Sequence, residues 1–337
     1  MVEGERVGYY EYMTRFADLP VVEFPGPGPG APVAVPAAAV ADPGSVAWRL
    51  RYHSPFYHQG DGAGEHEDVE AYLARFVATV DGGSVTAITA APLDYDGADM
   101  ADQRDLLLEH ASAWPRLRAL FFTEFTVGDS ELSWIGQTDV APLIHALPAL
   151  EEFTVRGGQG LRFTDLEHPA LRRLTVQSIA LPGQAVRGLG TADLPALEHL
   201  ELFIGESMYG ADTEVVDLSR VLSGAALPAL DSLALRYAED ADAWARAVAD
   251  SPLARRLRVL ELSQSALTDV GAEALLRAPA LRGLDRLNLC LNRLSPEMAE
   301  RLRAEFTATG TEVDLRDEPG EEDDRDEWDA RYPAIVE

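Results

Sequence analysis

The stretch Leu284-Asp285-Arg286-Leu287-Asn288-Leu289-Cys290-Leu291-Asn292-Arg293-Leu294 decides the fold. Leu287-x-Leu289 is a short strand whose alternate side chains enter a core. Leu284 marks the turn that delivers the chain to that strand. One such unit cannot bury its apolar face alone, so the pattern gains meaning only by recurring. It recurs backward along the chain as Leu257/Leu260/Leu262, Leu230/Leu233/Leu235, Leu197/Leu200/Leu202, Leu171/Leu174/Val176, Leu150/Phe153/Val155 and Leu117/Leu120/Phe122. A weaker copy is Val85/Ile88/Ala90, with Trp48/Leu50 a candidate first strand and Val313/Leu315 a last one. The string Pro-Ala-Leu begins at Pro148, Pro169, Pro195, Pro228 and Pro279, leading into or just preceding five of the units.

The return legs read as helices. Ala101–Ala113, Thr268–Ala278 and Pro296–Thr307 carry apolar residues at helical spacing, for example Val270, Ala274, Leu275 and Ala278. Thr268-Asp269 and Ser295-Pro296 are helix starts, the second with proline in the first turn. Each Pro-Ala-Leu proline stops the chain from continuing as helix into the next strand. Strand, helix, strand in this order gives a parallel sheet with right-handed crossovers. Narrow strands inside and wider helices outside bend the stack into an arc.

The repeat Leu284–Leu294 matches the leucine-rich-repeat consensus throughout, and Leu267-Thr268-Asp269-Val270-Gly271-Ala272-Glu273-Ala274-Leu275 resembles the loop-to-helix leg of the ribonuclease-inhibitor type. The fold class implied is α/β, a leucine-rich-repeat solenoid with a concave parallel sheet and convex helices and loops. The asparagine position is kept poorly elsewhere (Phe125, Gly158, Ile179, Gly205, Ala238), so the other repeats are irregular with bulging loops. Ser133-Trp134-Ile135-Gly136-Gln137-Thr138-Asp139, Arg156-Gly157-Gly158, Asp193–Leu202 and Arg331-Tyr332 together resemble a poorly characterised bacterial family of cytosolic leucine-rich-repeat proteins. Members of that family are often encoded beside radical-SAM proteins. The resemblance runs from about Val46 onward and implies fold and compartment better than activity.

Three regions are expected: an N-terminal segment with a Pro/Gly-rich linker over 1–45, the solenoid with an N-terminal cap helix over 46–316, and an acidic tail over 317–337. Tyr9, Tyr10, Tyr12, Met13, Phe16 and Phe24 give the first region enough apolar surface to dock as a cap. Glu67–Val80 reads as the amphipathic cap helix. The tail packs nine acidic residues into Asp317–Asp329 and ends in Trp328, Tyr332, Pro333, Ile335 and Val336, which fold back or bind in trans.

The 337 residues carry a formal net charge of −29, and all 28 basic residues are arginine. That field repels phosphate backbones and anionic head groups, so nucleic acid and membrane are not expected partners; a basic protein surface is. A single cysteine, Cys290, no apolar leader and no stretch of membrane-spanning length point to the cytoplasm.

Several residues invite chemistry. Gly128-Asp129-Ser130 and Asp165-Leu166-Glu167-His168 resemble blocks of a lipase-like hydrolase class, but a triad needs all three groups in one pocket. His53, His58 and His66 with Asp61, Glu65, Glu67 and Asp68 form a ligand-rich loop whose spacing fits no zinc pattern. A phosphate-cradling Gly-x-x-x-x-Gly-Lys is impossible without lysine. No metal or cofactor is expected, and Cys290 reads as an outward, partly covered thiol.

The concave face is the expected site. One outward row is Phe121, Thr154, Thr175, Glu201, Ala234, Glu261 and Asn288; the next is Thr123, Arg156, Gln177, Phe203, Arg236, Ser263 and Cys290. Phe121, Arg156, Gln177, Glu201, Phe203, Arg236, Tyr237, Glu261 and Asn288 are the expected contacts, the aromatic and arginine members being typical interface anchors. Phe121 and Phe203 either anchor a partner or lie under the loops that follow them. Trp134, with Gln137 and Asp139, makes a second candidate loop site, Trp134 reading as a plug that packs the loop down. These residues point to a non-catalytic protein–protein interaction scaffold. The alternatives are an accessory or substrate-recognition subunit for a neighbouring radical-SAM enzyme and, last, an independent hydrolase.

Overall fold

A computed structural model describes residues 9–26, 34–52, 67–93 and 100–316. The ligand-rich loop from His53 to His66 and the acidic tail lie outside these residues. The described chain forms one open sheet of twelve strands whose order follows the sequence. They are β1 Arg15–Phe16, β2 Leu19–Glu23, β3 Ala47–Leu50, β4 Ala87–Ala90, β5 Ala119–Phe122, β6 Glu152–Arg156, β7 Arg173–Gln177, β8 His199–Gly205, β9 Ser232–Ala238, β10 Val259–Glu261, β11 Arg286–Asn288 and β12 Glu312–Asp314. Only β1 and β2 pair antiparallel; β2 to β12 are parallel.

The register explains the leucine spacing. Trp48, Ile88, Leu120, Phe153, Leu174, Leu200, Leu233, Leu260 and Leu287 face one another strand to strand. All of them are buried. Each leucine removed from water stabilises by about 2 kcal/mol before entropy is counted. A one-residue slip would move the whole row to the opposite face. Parallel neighbours need crossovers, and the convex legs supply them.

The helices are α1 Ala37–Ala41, α2 Val69–Thr79, α3 Met100–His110, α4 Ala141–His145, α5 Gly183–Leu189, α6 Ser219–Leu222, α7 Ala241–Ala249, α8 Asp269–Arg277 and α9 Pro296–Thr307. α2, α3, α8 and α9 fall where the apolar spacing puts them. The leg from β6 to β7 has no helix and turns through bends and isolated bridges.

Caps link successive repeats. Thr268 Oγ1 donates to Asp242 Oδ2 at 2.7 Å, and one repeat later Ser295 Oγ donates to Asp269 Oδ2 at 2.7 Å. The residues Thr268 and Ser295 also cap α8 and α9 through their side chains. Asn292 spans the interior turn: its amide donates to Leu262 O (2.7 Å) and Leu289 O (3.0 Å) and accepts from Leu267 N (3.0 Å). Several strands end on a residue with positive φ: Gly157, Tyr237, Gln264 and Leu291 occupy the same place after Leu-x-Leu-x. Only at Gly157 does glycine remove the strain, and there a Cβ would also lie 2.6 Å from Ile135.

The N-terminal region does more than cap an end. It contributes β1 and β2, so the sheet begins at residue 15 rather than near Trp48. Its turn, Ala17-Asp18, has φ of 49° and 61°, the left-handed pair that suits a tight hairpin.

Candidate functional site

The concave face divides into two halves. Over β3–β6 it is covered by residues 9–16 of the same chain. Phe16 sits against Ala47, Ala87, Ala119 and Phe121, with 6.1 Å between the Phe16 and Phe121 ring centres. The three alanines pair in adjacent strands and form a shallow floor. Beside it Arg49 and Glu124 form a buried ion pair at 2.7 Å. The pair grips one backbone unit: Arg49 Nη2 donates to Met13 O at 2.5 Å, and Met13 N donates to Glu124 Oε1 at 2.9 Å.

Aromatic rings complete the seal. Tyr12 donates to Asp129 Oδ2 at 2.7 Å and lies under both Arg49 (4.6 Å) and Arg51 (4.9 Å). Tyr9 donates to Ser130 O at 2.9 Å, and Val127 N donates to Tyr9 O at 2.8 Å. Arg156 stands over the rings of Tyr9 (5.6 Å) and Phe121 (5.1 Å). Burial pushes its guanidinium down to about 10, nearby Glu124 opposing this, and the group stays charged at neutral pH. Arg156 donates to Gln177 Oε1 at 2.9 Å and to Phe125 O.

Phe121 and Arg156 are each 1% exposed. They are not a free binding surface: Phe16 and Tyr9 of the N-terminal segment lie over them, and the loop after β5 adds Phe125 O to the enclosure of Arg156. The polar groups central to this half, Arg49 and Glu124, were not among the expected site residues. Their signal was the aromatic density of residues 9–24, which needs a receiving surface.

Over β7–β12 the described residues leave the face partly open. Glu201 (β8) and Glu261 (β10) flank Ala234 (β9) in the outward row. The small alanine leaves room for Arg236 to reach both carboxylates, at 2.8 Å to Glu201 Oε1 and 2.7 Å to Glu261 Oε1. Ser263 Oγ donates to Glu261 Oε1 at 2.6 Å, and Thr175 Oγ1 to Glu201 Oε2 at 3.3 Å. Burial pushes the Glu201 carboxyl up, but Arg236, His199 and Thr175 outweigh it and hold the group at about 2. Phe203 is fully buried, stacked 5.6 Å from Tyr237 with the Arg236 guanidinium 5.5 Å from its ring centre. Gln177, Tyr237 and Asn288 are also buried, so the expected contacts that keep some exposure on these strands are Glu201, Arg236 and Glu261. Cys290 is half-buried, and burial pushes its thiol up.

His199 and Ser232 add a contact of 2.7 Å between Nδ1 and Oγ. Glu201 Oε2 stands 3.7 Å from the far ring nitrogen. The order is that of nucleophile, base and acid, but a base needs a short hydrogen bond from its acid to be held in place. Here the Glu201 carboxylate is committed to Arg236.

The other candidates separate. His168 is buried with both ring nitrogens engaged, by Leu147 O at 3.1 Å and Ala170 N at 3.3 Å. Ser130 Oγ donates to Glu131 O at 3.2 Å. The hydrogen bonds of each go to other groups, and Asp165 stands exposed in a left-handed turn. Gln137 is buried, donating to Thr123 Oγ1 (3.0 Å) and Arg156 O (2.8 Å). Asp139 accepts from Ala141 N and Thr164 N, both at 3.2 Å. Trp134 is 74% exposed, so it is not the plug its sequence setting suggests; Ile135, which is buried, plugs the loop against Gly157 instead. Among the described residues no group of three or more His, Cys, Asp or Glu is placed to hold a metal ion, and no helix is long and apolar enough to cross a membrane.

No family model matches the chain, and no curated protein matches it. A Bacteroides fragilis protein solved by the Northeast Structural Genomics Consortium is similar, with a TM-score of 0.68 and 27% identity over 73% of this chain and 70% of that one. The likeness agrees with the repeat architecture seen here.

Proposed function

We propose that the protein is a non-catalytic interaction scaffold that holds a protein partner on the concave face of β7–β12. The observation that carries the reading is the Glu201–Arg236–Glu261 network. It is pre-ordered, reaches solvent at its edge with 14–20% of each side chain exposed, and is flanked by the more accessible outward side chains Arg173, Val259 and Arg286. Side chains already held in place lose little freedom on binding, which favours association. A net charge of −29 draws in basic protein surfaces and repels nucleic acid and anionic membrane. The reading places the protein in the cytoplasm and needs no cofactor.

The test is affinity purification of the tagged full chain from its native cells beside an Arg173→Glu/Val259→Arg variant. Both changes lie on outward positions and leave the Arg236 network intact. A partner retained by the wild type and lost by a variant of equal melting temperature supports the reading. Retention by the variant with loss on Trp134→Ala moves the site to the loop, the second reading that the 74% exposed Trp134 favours. No partner in any sample overturns constitutive scaffolding.

A further inference from the structure

We propose that the concave face of β3–β6 is a receptor groove for an extended segment of another protein with the pattern Tyr-x-x-Tyr-x-x-x-Phe, and that Tyr9, Tyr12 and Phe16 occupy it as a resident competitor. The inference does not depend on the β7–β12 face.

Four observations support a groove built to receive a segment. First, the floor is hollow where Phe16 enters. The outward positions Ala47, Ala87 and Ala119 are followed along the same row by Glu152, Arg173 and His199. Larger side chains from the sheet itself would have filled the hollow, and the sequence leaves it empty. Second, the Arg49–Glu124 pair reads main chain. It takes the N–H and C=O of Met13 and asks nothing of that side chain. Third, Arg49, Arg51 and Arg156 each present a guanidinium to a tyrosine ring of the segment. This chemistry selects aromatic residues in the ligand.

The fourth observation separates a receptor from a simple internal contact. Thr89 lies between Arg49 and Phe121 in the outward row. It is fully buried, and its Oγ1 has no hydrogen-bond partner among the described residues. A buried hydroxyl left alone costs stability. The described part of the resident segment offers that hydroxyl no partner. A ligand that offers Thr89 a hydrogen-bonding side chain fits it better. Displacement breaks few strand-type backbone bonds. β1 has two residues and joins β2 through the Ala17-Asp18 turn, and beyond it the segment's main chain is held by Val21 N to Thr14 O, Val127 N to Tyr9 O and the two Met13 bonds that Arg49 and Glu124 of the groove supply.

The experiment uses the full chain carrying Phe16→Ala, which weakens the resident segment at its anchor. The probe is a fluorescent peptide of the sequence Tyr9–Asp18, followed by anisotropy. The peptide should bind this variant at least tenfold tighter than it binds the wild type, and adding Asp129→Ala should remove that gain. A single-substitution scan of the peptide should yield at least one member tenfold tighter than the parent. That advantage should vanish on Thr89→Val. If Phe16→Ala fails to fold, a protease site inserted between Ala17 and Asp18 replaces it, and the cleaved fragment should exchange with the labelled peptide. A folded variant or cleaved chain that takes up no peptide overturns the proposal. So does a scan in which no peptide exceeds the parent, since the resident segment is then the optimal ligand. Dimers formed by swapping the segment between two copies, with no tighter foreign peptide, assign the groove to a second copy and overturn it as stated.

Discussion

The two halves of the concave sheet solve the same problem in opposite ways. Both place charged residues on the outward row of a parallel sheet. Over β3–β6 the arginine Arg49 is paired with Glu124 and then covered by Phe16, Tyr12 and Met13. Over β8–β10 the arginine Arg236 is paired with Glu201 and Glu261, and each of these side chains keeps 14–20% of its surface exposed. The first half spends its outward residues on an internal partner, and the second keeps them at the solvent boundary. The difference teaches that outward direction in a strand does not make a residue available. The covering segment lies more than a hundred residues away in sequence from some of what it covers.

The comparison can be broken most sharply at Glu124. Glu124→Ala leaves a buried guanidinium and the Met13 N–H without their acceptor, and should cost about 4 kcal/mol by denaturant unfolding. Hydrogen exchange should rise over residues 9–23 while β10–β12 stay protected. Equal loosening of both ends would show that the halves are not separate.

Arg236→Ala tests the open half. It leaves two carboxylates facing each other across Ala234, for an expected loss of about 3 kcal/mol at neutral pH, reduced from the fully buried case by their exposure. The same carboxylates give the half a pH signature. Glu201 falls from the ordinary 4.5 to about 2 in the fold. Its contribution is complete above the unfolded value and drains as pH drops from about 4.5 toward 2, on the order of 3 kcal/mol in total. Glu201→Gln should flatten the stability curve in that window and leave the slope above pH 5 unchanged. An unaltered acid limb would show that Glu201 is not held by Arg236 in solution.

Tyr12→Phe sharpens the comparison more gently. It removes the hydrogen bond to Asp129 and keeps the ring under Arg49 and Arg51, so a loss of about 2 kcal/mol is expected in thermal unfolding. The smallest effect is a gain. Gln264 holds φ at 53° after β10, and Gln264→Gly should raise stability by about 1 kcal/mol by relieving that strain.

The architecture was legible because leucine spacing is a direct image of strand register. Leu260 and Leu287 land in β10 and β11, and Leu257, Leu262, Leu284 and Leu289 are buried just beside them, as expected. The outward rows were also legible, since Phe121, Thr154, Thr175, Glu201, Ala234, Glu261 and Asn288 do align across the sheet. Their exposure was not. Nothing local to Phe121 or Arg156 records that Phe16 and Tyr9 lie over them, because periodicity reports direction and not cover. α7 carries Ala241, Trp244, Ala245 and Val248 at helical spacing, a signal present but diluted by small alanines. α4, α5 and α6 are seven residues or fewer, too short for a period to emerge. Trp134 misled because a large aromatic in a loop usually packs, whereas here its neighbour Ile135 takes that task.

The tyrosine contacts of the N-terminal segment impose an order on how the molecule comes into being. Tyr9 bonds a carbonyl 121 residues further on, and Tyr12 a carboxylate 117 residues further on. A ribosome emits Tyr9 and Tyr12 long before it emits Asp129 and Ser130. The strands between can stack as they appear, each on the one before, because each needs only its neighbour. Tyr9 and Tyr12 must wait through all of that, so residues made before the strands they cover are among the last to reach their places.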